Sequence, residues 1–309
     1  MWFKARKNIL LKLKKILAFF ESVLYNIFRH MTMAHRQMVR HWTLTPAFQG
    51  SNPCGPANKP PSDSDGGSCV IKEMRMDMRY EWNTRVGYSD IGQDGKMSYG
   101  NSVDMLQNCS NFQSLDIGVG LDYLIENRKA WLLSYWQIEF VKPMSMGDNI
   151  KVSTWAYDFD KIFGYRNFAI QNNQGEYTVK ANSIWFLVNL DTFKPMRLKE
   201  EDVSAYGLES KLDMEYGNRR VKLPEDMEEI DRIKVRNYHI DTNGHVNNAW
   251  YIKIAMEYIE KSVTVRQIRV EYKHSAVYGD EITVKKQGNV IAMYNAEGDI
   301  YAAVEYEEA

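Results

Sequence analysis

An aspartate, an asparagine and a histidine stand at alternate positions of the stretch DTNGHVNN, residues 241–248, around a single glycine. Each side chain brings a different capability. The imidazole of His245 titrates close to neutrality and can polarise a carbonyl or move a proton. The carboxylate of Asp241 can orient a water or act as a base, and the carboxamide of Asn243 can hold a water or a substrate. A helix starting after such a turn adds backbone N–H groups and a positive dipole end, which can cradle a developing oxyanion. Together these are the parts of a bond-breaking site. The same letters also spell a plain turn, in which Asp241 and Asn243 close an Asx turn, Gly244 supplies a positive φ, and Asn247 or Asn248 caps the helix.

A repeat within the chain weighs one reading against the other. VGYSDIGQDGKMSYGNSVDMLQNC (86–109) lines up with VRNYHIDTNGHVNNAWYIKIAMEYI (235–259), pairing Tyr88 with Tyr238 and Gly95 with Gly244. Where the second copy has Asp241, Asn243 and His245, the first has Gly92, Asp94 and Lys96. The turn is therefore expected to form without the Asp/Asn/His set, which makes that set a candidate for chemistry in the second copy alone.

The elements that must position it also come in pairs. WQIEFVKPMSMGDNIKV (136–152) matches RQIRVEYKHSAVYGDEITV (266–284), with Glu139 against Glu271 and Gly147-Asp148 against Gly279-Asp280. RNFAIQNNQGEYTVKANSIWFLVN (166–189) echoes NVIAMYNAEGDIYAAVEYE (289–307), and NNQGE and NAEGD carry hairpin-turn chemistry. Each half reads as a strand, a Gly turn and one helix, then strands rich in Val, Ile, Tyr, Phe and Trp. This order predicts an α+β fold with antiparallel sheets around helices, the two halves pairing edge to edge as a pseudo-dimer in one chain. Glu271 shares a face with Ser275 if its strand is regular. Because its counterpart Glu139 sits in the half without the set, Glu271 is assigned a structural role. Cys109 falls in the first helical pattern and is expected in the core.

Composition bounds the rest. A chain of 309 residues with 44% hydrophobic and 13% aromatic content can bury a large core, as one large domain or two small ones. The net charge of -1 hides an asymmetry, since residues 1–72 carry eleven Lys/Arg against Glu21, Asp63 and Asp65. Within residues 1–45, a basic N-terminal extension, residues 4–30 place Ile9, Leu13, Ile16, Phe20, Leu24 and Ile27 on one helical stripe. Lys14, Lys15 and Glu21 interrupt it, so the stretch is too broken to span a bilayer and instead predicts an interfacial helix on an anionic membrane, a removed targeting peptide, or an upstream extension. Residues 46–72, dense in Pro, Gly, Ser and Asn, predict a disordered linker. The body divides into repeats at 73–215 and 216–309. Cys54, Cys69 and Cys109 form no CxxC pair, and the six histidines include no HExxH. No metal or cofactor is expected, and a reducing, cytoplasmic compartment fits, with membrane association or organelle targeting through the extension as the alternative. Neither GxGxxG nor GxxxxGK[ST] occurs, and the basic arm lacks base-stacking aromatics, so nucleotide and nucleic-acid binding have no support.

The strand, the DxNxHVNNxxY segment opening a helix, and the later strand ending in YGD resemble the hotdog fold. The two-copy arrangement, with VGYSDIGQDGKMS, WLLSYWQIEFVKPMSMGDNIKVSTW and WFLVNLDTFKPMRL in order over about residues 78–306, resembles the acyl-acyl carrier protein (ACP) thioesterases of plants and bacteria. The resemblance implies a tandem (double) hotdog in which two antiparallel sheets each wrap a long helix. It implies hydrolysis of the thioester between a fatty acyl chain and the phosphopantetheine arm of ACP, with Asp241, Asn243 and His245 at the family's active-site positions. The family's further Glu and, in plants, its Cys fall here on Ser275 and Ala276, which leaves Asp241 as the principal carboxylate. An acidic carrier would dock on basic residues, for which Arg219, Arg220, Lys222, Arg232, Lys234 and Arg236 are candidates. Trp131, Trp136, Phe140 and the methionines at 144–146 are acyl-tunnel or plain core residues. An acyl-CoA thioesterase and a non-catalytic acyl-thioester-binding protein at a membrane are the competing functions, and a homodimer is compatible with both.

Overall fold

The computed structural model describes residues 79–309; the expectations for residues 1–45 and 46–72 lie outside that range. The chain runs through β1 (Tyr80–Arg85), the first Gly turn, α1 (Tyr99–Asp116) and the short α2 (Leu121–Glu126). It continues with β2 (Lys129–Phe140), β3 (Asn149–Asp160), β4 (Phe163–Asn172) and β5 (Tyr177–Asn189). A connecting segment containing α3 (Glu200–Val203) leads to β6 (Glu228–Lys234), the second Gly turn and α4 (Asn248–Met256). The last strands are β7 (Val265–Tyr272), β8 (Glu281–Gln287), β9 (Val290–Tyr294) and β10 (Ile300–Glu308).

All strand pairings are antiparallel, in the order β1-β3-β4-β5-β2-β7-β10-β9-β8-β6. The order is the same from either end once β1 is matched with β6, β2 with β7 and so on. The join is β2 against β7, with Ile138 opposite Ile268. The edge-to-edge pairing expected of the two sheets thus makes one continuous 10-stranded sheet. Both predicted hairpins form around the same device. Asn172 Oδ1 accepts from the amides of Gln174 and Glu176, Asn295 Oδ1 from those of Glu297 and Asp299, and Gly175 and Gly298 take the positive φ each turn needs.

Two expectations are corrected. The helix of the second copy is not long: α1 has 18 residues and α4 has 9. Only residues 257–264 connect α4 to β7, so the helix tightens and ends, the amides of Glu257, Tyr258 and Ile259 reaching back three residues to Ile254, Ala255 and Met256. The copies also align one residue away from the pairing of Tyr88 with Tyr238. The single helical turns Tyr88–Asp90 and Asn237–His239 correspond, so Ser89 matches Tyr238. Register is set by the turn, where Gly92 N donates to Lys96 O at 2.7 Å and Asp241 N to His245 O at 2.8 Å; the two exposed tyrosines have no part in it.

The core lies between the helices and one face of the sheet. Leu106, Cys109, Trp136 and Phe168 from the first copy and Ile252, Ile268, Val270 and Val304 from the second are all fully buried there. Each large apolar side chain so placed contributes about 1.5–3 kcal/mol. The helices approach closely because residue 100 is glycine; a Cβ there would meet Lys253 Cγ. The same lysine pairs with Asp104 across the helices at 2.5 Å. The connecting segment crosses the opposite face of the sheet. Trp155 Nε1 donates to Ser210 O at 2.8 Å, Gly217 N to Gln137 Oε1 at 2.8 Å, and Val221 N to Glu271 Oε2 at 3.1 Å. Glu271 is thereby tied to the connecting segment and to Lys273 at 3.8 Å, in keeping with its structural assignment.

Candidate active site

The second Gly turn is built by Asp241. Its Oδ1 accepts from the amide of Asn243 at 2.8 Å and from that of His245 at 3.3 Å, while Gly244 takes φ 78. Both bonds fall on one oxygen, which leaves Oδ2 for other partners. In the first copy Asp94 Oδ1 accepts from the amide of Lys96, the counterpart of His245, at 3.0 Å. Both turns thus use a carboxylate, supplied from different positions. The first copy forms its turn with Gly92, Asp94 and Lys96 in place of Asp241, Asn243 and His245, as expected, and a carboxylate has a structural part in both copies. The imidazole and its placement belong to the second alone.

His245 is half-buried at the foot of the turn, bridged to Val277 of the segment between β7 and β8. Burial pushes its pKa below the ordinary value of 6.5, and the nearby Asp241 carboxylate offsets this in part. The ring is therefore neutral at pH 7 and able to take a proton. Asn243 is exposed on the outside of the turn, near Asp241 through its backbone rather than through its carboxamide. Sequence reasoning passed over His239. It is buried two residues before Asp241, with its ring centroid 4.2 Å from that of Tyr238 and 4.7 Å from that of Trp250, and its Nδ1 accepts from Arg236 N at 3.1 Å. Burial, and then the Arg236 charge, lower its pKa as well.

Asn247 caps α4, its Oδ1 accepting from Ala249 N at 2.9 Å. The idea that the amides of GHVNN jointly cradle an oxyanion is narrowed by where those amides go. Gly244 N donates to Asp241 O, His245 N to the Asp241 carboxylate, Val246 N to Ala276 O and Asn247 N to His239 O. Among these described residues the amide of Asn248, at the first position of α4, is the one left over. Ser275 lies beyond the end of β7, exposed, next to the Ala276 carbonyl that Val246 binds. The site therefore brings Asp241, His245, the start of α4 and the 275–277 segment together through backbone hydrogen bonds.

Comparison with known proteins shows the family and the fold. Sequence models of the acyl-ACP thioesterase N-terminal domain and C-terminal domain match residues 77–206 and 223–306, one on each copy. The chain belongs to the acyl-ACP thioesterase family. It is 25% identical over 214 residues to a chloroplastic oleoyl-acyl carrier protein thioesterase of Arabidopsis thaliana, covering 62% of this chain and 59% of that one. It is 26% identical over 181 residues to a chloroplastic acyl-[acyl-carrier-protein] hydrolase of Cuphea viscosissima, covering 54% and 43%. The chain thus spans about half the length of the curated relatives it matches. An acyl-ACP thioesterase from Bacteroides thetaiotaomicron shares the double-hotdog fold, with TM-score 0.69 and 22% identity over 75% of this chain and 98% of that one. A 12:0-ACP thioesterase from Umbellularia californica does so with TM-score 0.66 and 16% identity over 75% and 97%.

In this acyl-ACP thioesterase family member the other expected residues are dispersed. Arg232 is held by Glu229 and Glu281, and Arg219 lies over the ring of Phe163 at 4.9 Å, so these two have partners within the chain. Arg220, Lys222, Lys234 and Arg236 are exposed. Trp136 packs on Phe168 at 4.8 Å and Met144 is buried, which makes them core residues, whereas Met146 is exposed and Trp131 and Phe140 are half-buried. Open depressions of about 350 Å³ and about 290 Å³ lie at the two outer edges of the sheet, around Arg85 and Lys151 and around Arg232 and Lys285, and neither borders the 241–245 turn. No helix among the described residues is long and apolar enough to cross a membrane.

Proposed function

We propose that the protein hydrolyses fatty acyl-ACP to free fatty acid and carrier protein, the step that ends fatty-acid synthesis. The observation that carries this reading is the half-buried imidazole of His245 on the turn built by the Asp241 carboxylate, at the position where the first copy has Lys96. Water held by Asp241 Oδ2 attacks the thioester carbonyl carbon and gives its proton to the His245 ring, while the exposed carboxamide of Asn243 is left to hold the incoming thioester. The charge developing on the carbonyl oxygen falls to the free amide of Asn248 and the positive end of α4. As the C–S bond breaks, the imidazolium returns the proton to the departing pantetheine sulfur. Ser275, exposed and hydrogen-bonded to no base among the described residues, serves as a hydrogen-bonding group for the water and not as a nucleophile.

The reading divides the work between repeats at 73–215 and 216–309, with the catalytic set in the second. The acidic carrier docks on the exposed Arg220, Lys222, Lys234 and Arg236. A cytoplasmic location, membrane contact through residues 4–30 and a homodimer complete the proposal; fractionation, liposome flotation and sedimentation test each in turn. The function itself is tested by hydrolysis of matched acyl-ACP and acyl-CoA thioesters side by side. Faster turnover of acyl-ACP supports the reading. Preference for CoA would move the substrate, and binding of either thioester without turnover would leave an acyl-binding protein.

A further inference from the structure

We infer that Gln107, on α1 of the first copy, is a positioning residue of the second copy's site, acting through Asn247. The inference rests on the thioesterase reading above. Gln107 Nε2 donates to Asn247 Oδ1 at 3.3 Å, across 140 residues of sequence, and the same oxygen accepts from Ala249 N at 2.9 Å. With two donors aimed at Oδ1, the carboxamide cannot turn over without placing its own N–H groups against both. Its Nδ2 is therefore held away from them, with no partner among the described residues. It and the amide of Asn248 are the unspent donors of the cap residue and of the first residue of α4, where an oxyanion is best stabilised.

The frame around the pair is firm. Asn247 N donates to the carbonyl of His239 at 2.9 Å, and the His239 ring packs against Tyr238 and Trp250, which also touch each other. On α1, Gly100, Asp104 and Gln107 follow at spacings of four and three, one helical stripe. All three face α4: Gly100 against the stem of Lys253, Asp104 on its ammonium, Gln107 on the cap.

The arrangement occurs once. The counterpart of Asn247 in the first copy is Ser98, which caps α1 through its hydroxyl and has no amide to present. The counterpart of Gln107 in the second copy is Met256, the last residue of α4. The Gln/Asn pair thus stands only at the helix end beside His245, which a purely architectural contact between two like helices would not require.

The test compares the full chain with Gln107→Leu, Asn247→Asp and the double variant, by steady-state hydrolysis of acyl-ACP and by thermal melting. Asn247→Asp keeps the cap oxygen and loses the Nδ2 donor, so kcat should fall by about 100-fold. Gln107→Leu frees the carboxamide to rotate, and kcat should fall by about tenfold with KM within about twofold and the melting temperature within about 3 °C. In the Asn247→Asp background, Gln107→Leu should cost less than about twofold, because its target is gone. Unchanged kcat in Gln107→Leu, or a loss that multiplies fully with that of Asn247→Asp, overturns the inference. If Asn247→Asp does not fold, Gln107→Leu and Gln107→Glu decide alone, lowered kcat at unchanged melting supporting the role and unchanged kcat overturning it. A wild-type chain that hydrolyses no acyl-ACP overturns the thioesterase reading, and this role with it. An active wild type with an unaffected Gln107→Leu overturns the role only.

Discussion

The amide of His245 and the carboxylate oxygen Oδ1 of Asp241 are 3.3 Å apart and hydrogen-bonded, so the candidate base and the candidate carboxylate are set in place by the backbone of one turn. The imidazole needs no side-chain partner to be near Asp241; its main chain is already anchored there. This relation makes the turn and the site a single device, with Oδ1 spent on structure and Oδ2 available for chemistry.

Replacement at residue 241 should separate the two roles. Asn retains an oxygen for the amides of Asn243 and His245, so Asp241→Asn should melt within about 3 °C of wild type. Without the carboxylate, its acyl-thioester hydrolysis should fall by about 100-fold. Asp241→Ala loses both functions and should also be destabilised by about 1 kcal/mol, as when other Asx caps are removed. Wild-type turnover by Asp241→Asn would falsify the assignment of Asp241 as the principal carboxylate.

For His245 the expected signature is in the pH profile. Burial lowers its pKa below 6.5, so the basic form persists through neutrality and kcat/KM should be flat around pH 7, falling only as the pH drops below 6.5. His245→Gln should lose about 10²–10⁴-fold in rate and, with it, that acid limb. An acid limb unchanged in the variant would place the titrating group elsewhere.

Stability should follow the same sign. His239 and His245 both bind protons more weakly folded than unfolded, since burial lowers both below 6.5. The unfolded chain therefore takes up more protons between the folded and unfolded values, and stability is kept above pH 6.5 and lost as pH falls through the folded values. Melting temperatures at pH 7.5, 6.5 and 5.5 should decline in that order, and His239→Asn should flatten part of the decline. A decline equally steep in that variant would remove His239 from the account.

Position 275 offers a gain instead of a loss. Ser275 is exposed and without activation, so Ser275→Ala should keep hydrolysis within about twofold of wild type. Ser275→Glu puts a second carboxylate beside the Val246–Ala276 bond and should raise kcat by about threefold to tenfold, as an added general base can. Abolished activity in Ser275→Ala would show that the serine carries more of the reaction than Asp241 does.

Much of this protein was readable from local pattern. The hairpin asparagines and glycines at 172–175 and 295–298, the antiparallel strands, the central helices and the DTNGHVNN turn depend on residues a few positions apart, and short-range hydrogen bonds enforce them. The repeat exposed the two-fold organisation, because both halves solve the same burial problem with the same element order. Even so, the paired tyrosines misled by one residue, since exposed aromatic side chains leave turn register unspecified. Other features required the chain to be folded. The joining of two sheets through Ile138 and Ile268, the 9-residue length of α4, and the depressed pKa of His245 all depend on which surfaces meet and how much water is left between them. So does the reach of Gln107 to Asn247, which no spacing along the chain encodes. Sequence by itself determined which groups are present and which turn carries them; tertiary structure decided which of their hydrogen-bonding positions are already spent, because that is fixed by neighbours distant in the chain.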